Sequence, residues 1–234
     1  MPYGYYGFYW MDYTYILVVI GAIICLIASA RMNSTFNRYQ RVRSMSGMTG
    51  AMAAERILRD AGIHDVQVQH ISGNLTDHYN PMNKTLSLSD SVYNSTSIAA
   101  VGVAAHECGH AIQHQEGYAP LKLRSFSVPL ANIGSRLSWP IIVLGLILGW
   151  SGLLEVGILL FVFVVAFQLI TLPVEFDASH RAIRILEAKQ LFGDQELQGA
   201  KKVLTAAALT YVAALASAIL QLVRLILISR RNDD

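Results

Sequence analysis

The chain has 234 residues, 53% of them hydrophobic and only 15% charged, and a mean hydropathy of +0.40, a balance too apolar for an ordinary soluble domain. A net charge of +2, with no basic stripe carrying interleaved aromatics, argues against nucleic acid as a partner. Only Cys25, in an apolar run, and Cys108, in a polar motif, are available as thiols, which argues against a disulfide scaffold and gives no sign of an oxidising compartment.

The chain opens on "MPYGYYGFYWMDYTY", an aromatic cluster of the composition favoured at a membrane–water interface. Residues 13–30, between Asp12 and Arg31, are free of charge and long enough to cross a bilayer. No Lys or Arg precedes them, which argues against a cleaved signal peptide. Arg31, Arg38, Arg41 and Arg43 follow closely, so the positive-inside bias places the N-terminus outside and residues 31–136 in the cytoplasm.

Within that stretch "TGAMAAERILRDAGI" (49–63) carries Ala53, Ile57, Leu58 and Ala61 at helical spacing, with Gly62 as a stop. "VQVQHI" (66–71) alternates as a strand does, "GNLTDHYNPMN" (73–83) is rich in turn residues, and "KTLSLSDSVY" (84–93) alternates again through Leu86 and Leu88. A helix follows, from a Ser/Thr cap at 95–97 to Gly117, and carries "AAHECGHAIQHQ" (104–115). Two further charge-free windows, 137–154 and 156–174, flank Glu155 and read as a membrane hairpin turned at 149–152. The hairpin goes out and back, so residues 175–202, with Arg181, Arg184, Lys189, Lys201 and Lys202, are also expected inside. The last window, 203–223, is Ala-rich and reads either as a fourth span or as a buried or interfacial helix; as a span it would place "ISRRNDD" outside, against the charge bias.

The chemistry concentrates at 106–110. Residues four apart share a helix face, so His106 and His110 can offer two neutral imidazoles to one Zn²⁺. Glu107 is turned about 100° away and suits the general-base role toward water. Gly109 and Ala105 are small enough for close approach by another element. A catalytic zinc site needs a third protein ligand. Glu175, which the hairpin delivers to the cytoplasmic side at the head of "EFDASHRAIRIL", is the leading candidate; Asp177 and His180 are alternatives. His114, one turn beyond the pair, reads as a supporting or surface residue, and His64 and His70 read as surface residues. His180, Arg181, Tyr118 and Tyr79 are candidates to stabilise an oxyanion. "TLSLS" is placed to be an edge strand that pairs with an extended substrate. Leu86 and Leu88 then border the cleft, together with Asp77 and His78 from the preceding loop.

An H-E-x-x-H helix, a membrane hairpin and a Glu opening the next helix resemble the plan of integral-membrane gluzincins such as HtpX and the CAAX prenyl endopeptidases. "LTDHYNP", "LSLSDSVY", "AAVGVAAHECGHAIQ" and "EFDASHRA", in that order over roughly 36–202, resemble the YugP-type membrane zinc metallopeptidases more closely still. The resemblance implies one Zn²⁺ per chain, with Glu175 as third ligand. HtpX-like enzymes carry an Asp four residues after that Glu as partner of a ligand histidine; here Ser179 stands there and Asp177 lies two after the Glu.

The expected fold is thus a mostly α membrane protein, with three or four transmembrane helices and a small α+β zincin-like cytoplasmic domain. Its parts are an aromatic N-terminus and first span (1–30), a cytoplasmic part with the H-E-x-x-H helix (31–136), a hairpin (137–174), a cytoplasmic helix with the third ligand (175–202) and a possible last span (203–229). The expected function is that of a zinc endopeptidase acting on peptides or membrane-protein segments near the lipid bilayer, its site on the cytoplasmic side. The rival is a non-hydrolytic scaffold with a structural zinc, closed by His114, Cys108 or Asp177 as fourth ligand.

Overall fold

The computed structural model describes residues 13–232; most of the aromatic N-terminal cluster lies outside that range. The elements in order are α1 (Tyr15–Gln40), α2 (Gly50–Asp60), β1 (Gln67–His70), β2 (His78–Asn80), β3 (Thr85–Leu88), α3 (Ile98–Gln115), α4 (Ala119–Leu148), α5 (Ser151–Ala188) and α6 (Asp194–Asn232). Helices α1, α4, α5 and α6 are each long and apolar enough to cross a membrane, the expected Ala-rich window lying inside α6. The protein is therefore a mostly α membrane protein with a small α+β part. Cys25 and Cys108 are both free thiols.

The chain divides into two compact units. The first, among the described residues, takes residues up to Ile27, Pro129–Gln168 and those from Ala213 on. Its core is small: Ile142, Leu154, Phe161, Ala218 and Leu225. Glycines let its helices approach closely. A Cβ on Gly134 would stand 2.7 Å from the Leu160 carbonyl oxygen, and one on Gly157 would stand 3.0 Å from the Ile142 nitrogen. Many other large apolar side chains, Ile147, Leu148, Leu159 and Val162 among them, point outward, as lipid-facing residues do. The turn between α4 and α5 falls at Gly149, whose φ of +60° is a conformation that L side chains rarely adopt.

The second unit, Ala28–Val128 with Leu169–Val212, holds the larger core. Thr49 caps α2 by accepting a hydrogen bond from the Met52 N–H, and Ser97 caps α3 by accepting one from Ala100. The amphipathic face of α2 (Ala53, Ala54, Ile57, Leu58) is buried, and α3 is buried along nearly its whole length. That is possible because α3 is built largely of Ala, Gly and Val, so neighbours can close on it from several sides.

The sheet has the order β1–β3–β2, β1 parallel and β2 antiparallel to β3. This corrects one expectation: "TLSLS" is the central strand, not an edge. Leu86, Ser87, Leu88 and Ser89 are all fully buried, so both faces of β3 are covered. Leu86 and Leu88 belong to the core and do not border a cleft; burying each stabilises the unit by about 1.5–3 kcal/mol. The strand beside the site is β2, inside the segment read as turns. Three residues long and polar (His78, Tyr79, Asn80), it has no periodicity to reveal it.

Candidate metal centre

The second unit brings three of the expected residues together. His106 and His110 lie one turn apart on α3 with their rings edge-to-face, centroids 4.7 Å apart. Glu175, on α5, places Oε2 3.3 Å from His106 Nε2 and 3.6 Å from His110 Nε2. The glycine in the motif makes this approach possible. A Cβ on Gly109 would stand 2.6 Å from the Ala178 carbonyl oxygen, so only glycine lets α5 pass this close to α3.

Each imidazole is fixed by its other nitrogen. His106 Nδ1 lies 3.1 Å from Ser179 Oγ, and His110 Nδ1 lies 3.1 Å from Gln113 Oε1. The amide of Gln113 is itself oriented, because its Nε2 donates to the Val174 carbonyl at 2.9 Å and to Asp177 Oδ2 at 2.7 Å. Gln113 must therefore accept from His110, which puts the proton on Nδ1 and the lone pair on Nε2, toward Glu175. Asp177 continues the chain to Arg181 Nε at 2.5 Å, and Arg181 Nη1 donates to Glu116 Oε2 at 2.6 Å, tying α5 to the C-terminal end of α3. Burial by itself would depress His110, but Glu175, Glu107 and Gln113 outweigh it and hold the imidazole above its ordinary range.

Zinc fits these residues. Glu175 Oε2 is buried without a hydrogen-bond partner, facing the Nε2 atoms of both imidazoles. The three ligand atoms lie within 4.8 Å of one another. Donors at zinc-ligand distance around one tetrahedral ion stand about 3.4 Å apart, which the two His–Glu separations match. Two imidazoles and a carboxylate form a catalytic rather than a structural donor set. The fourth ligands that a closed site would need are engaged elsewhere. Cys108 Sγ points at the Ala54 carbonyl, 3.6 Å away, its thiol pushed well up by burial. His114 Nδ1 meets the Tyr79 hydroxyl at 2.8 Å, and Asp177 is held by Gln113 and Arg181.

Glu107 is buried beside this cluster and lines two cavities, of about 340 and 240 Å³. Asp77, His106, Glu175 and Tyr211 line both. The larger is bordered by β2, through His78, Tyr79 and Asn80, and by Arg124. Asp77 accepts from the Ser89 N–H (2.8 Å) and hydroxyl (2.9 Å), so it pins the start of β2 to the end of β3; burial pushes its carboxyl up against those two bonds. His180 is exposed and lines neither cavity, and Arg181 and Tyr118 pair with each other. His64 and His70 are exposed as expected, His70 bonded to Asp90.

Three residues at the site escaped the sequence reading. Gln113 left a trace, as a polar residue one turn beyond His110 on the same helix face as the two ligand histidines. Arg124, with Nη2 3.8 Å from Glu175 Oε1 and a buried unpartnered Nε, and Tyr211, on α6, left none. Only tertiary packing, which carries the start of α4 and the middle of α6 to the same cavity, brings them in.

The sequence family described as "Putative neutral zinc metallopeptidase" matches residues 14–230. A protein of Bacillus subtilis (strain 168) with the name "Putative membrane protease YugP" is 44% identical over 221 residues, covering 94% of this chain and 98% of that protein. No solved structure matches the chain.

Proposed function

The chain belongs to the neutral zinc metallopeptidase family, and on that premise we propose that it is a membrane-embedded endopeptidase in which His106, His110 and Glu175 hold one zinc ion and Glu107 is the general base. The observation that carries this reading is the buried, unpartnered Glu175 Oε2 facing two oriented imidazoles, with a second carboxylate beside them in a cavity. Zinc, when bound, supplies a Lewis acid that polarises a carbonyl and makes water acidic near neutral pH.

The rest of the chemistry belongs to the chain. Glu107, turned out of the ligand pair but lining the same cavities, takes a proton from the attacking water and returns it to the leaving amine. Strand β2 pairs on one side with β3, and we assign its other side to an extended substrate backbone. A strand-shaped site lets polypeptide run past the catalytic group in both directions, which is what an endopeptidase requires. Tyr211 and Arg124 are the donors assigned to the developing oxyanion. The four apolar helices support substrates drawn from membrane proteins or unfolded segments close to the bilayer.

The test is cleavage of a diverse peptide mixture by the purified, zinc-loaded protein in detergent, with Glu107→Gln in parallel and products read by mass spectrometry. Cleavage by the wild type, lost in a Glu107→Gln protein that retains zinc, is the expected result. Zinc bound by both proteins with the same product pattern from each would overturn it.

A further inference from the structure

We propose that a basic groove between α1 and α6, within the second unit, is a binding site for the phosphate headgroup of an anionic phospholipid. The groove has a volume of about 470 Å³ and is separate from the metal centre, sharing no lining residue with either cavity there. Four cations line it: Arg31 and Arg38 from α1, Lys201 and Lys202 from α6. No carboxylate lines it, and among the described residues none of the four is in a salt bridge.

Basic residues beside membrane helices are ordinary. Here, however, two helices from opposite ends of the chain turn their basic faces to the same space. The acidic side chain of α6 nearest to them in sequence, Glu196, is buried and occupied by the Met45 and Gly193 N–H groups, so it does not neutralise them.

The spacing on both helices is that of a single face. Arg31, Ser34, Thr35 and Arg38 follow i, i+3, i+4, i+7, and Gln198, Lys201, Lys202 and Thr205 do the same. Hydroxyls from Ser34, Thr35 and Thr205 therefore stand among the cations and can donate to phosphate oxygens. Tyr39 closes one end, packed so tightly on α6 that a Cβ on Gly199 would stand 2.8 Å from its ring. Ala206 and Leu209 form the other end, inside the charge-free window 203–223. With cations and hydroxyls along its length and Ala206 and Leu209 as an apolar edge within the charge-free window, the groove matches a headgroup with the start of its acyl chains. Basic pockets between membrane helices bind anionic headgroups in this way.

The probes are phosphatidylglycerol, phosphatidylcholine and inorganic phosphate, added to the full-length protein in detergent, with bound species counted by native mass spectrometry. Phosphatidylglycerol retained in preference to phosphatidylcholine is expected; equal retention of the two lipids overturns the proposal. The affinity for phosphatidylglycerol falls roughly thirtyfold in Lys201→Gln/Lys202→Gln, and about a thousandfold when Arg31→Gln and Arg38→Gln are added. A control with the same loss of charge at exposed positions, Arg41, Arg56, Arg59 and Arg184 to Gln, retains the lipid, and circular dichroism verifies that each variant is folded. Equal retention by the double variant and wild type overturns the proposal, as does equal loss in the control. Inorganic phosphate displacing the lipid at comparable concentration overturns the lipid assignment in favour of a free anion. None of these readouts depends on zinc or on proteolysis.

Discussion

At the residue scale, the site depends on groups outside the ligand set. Gln113 is fully buried and has its amide fixed from both ends, by His110 on one side and by Val174 and Asp177 on the other. Gln113→Ala leaves His110 free to rotate and to change tautomer. Zinc affinity, measured by competition with a chelator, is expected to fall about 10–100-fold. Tyr211 presents a different case, since it lines both cavities without belonging to the ligand set. Tyr211→Phe removes only a hydroxyl. If that hydroxyl donates to the oxyanion, kcat falls by roughly 10²–10³ while KM and zinc content hold; an unchanged kcat removes Tyr211 from the mechanism. That His106 and His110 face one point, with Glu107 turned aside, was legible in the sequence because the three share one helix, where spacing dictates geometry. Tyr211 and Arg124 were not legible, because nothing local distinguishes a tyrosine or arginine that tertiary packing will carry to a cavity.

At the element scale, the contact between α3 and α5 sets the separation of the donors. Gly109→Ala places a methyl 2.6 Å from backbone, the Ala178 carbonyl oxygen, where no side-chain rotation can relieve the clash. The helices must part. A stability loss of about 1–3 kcal/mol is expected, together with weakened zinc binding, read by thermal unfolding and by metal content. Substitution at Gly62, where nothing lies within 4 Å, would disturb a turn and leave zinc bound. Helices α2 and α3 were readable from their periodicity and caps. The sheet was readable only in part. Alternation in "TLSLS" signals a strand, but Ser87 and Ser89 are as buried as Leu86 and Leu88, so the polar positions that suggested a solvent-facing side are covered. Whether a strand is central or at an edge depends on its partners, and the partner here, β2, is too short to announce itself.

At the scale of the whole molecule, the tension in the sequence is between helix length and charge. Helix α6 is long and apolar enough to be a fourth span, yet a fourth crossing would carry Arg230 to the side opposite Arg31 and Arg38. The dense run of basic residues just after the first apolar window is the stronger determinant, and on that ground we expect the second unit in the cytoplasm. Met82, in the loop between β2 and β3, is almost fully exposed and reports on that unit; Tyr13, ahead of α1, reports on the other side. In intact cells a membrane-impermeant maleimide should label Tyr13→Cys but not Met82→Cys, and Met82→Cys should react once the membrane is permeabilised. The parent chain serves as its own blank, because Cys108 is buried and Cys25 lies in α1, the first helix long and apolar enough to cross a membrane. Labelling of Met82→Cys in intact cells would place the metal centre outside. The positive-inside bias would then have been overridden, and substrates would have to be sought among extracytoplasmic segments instead.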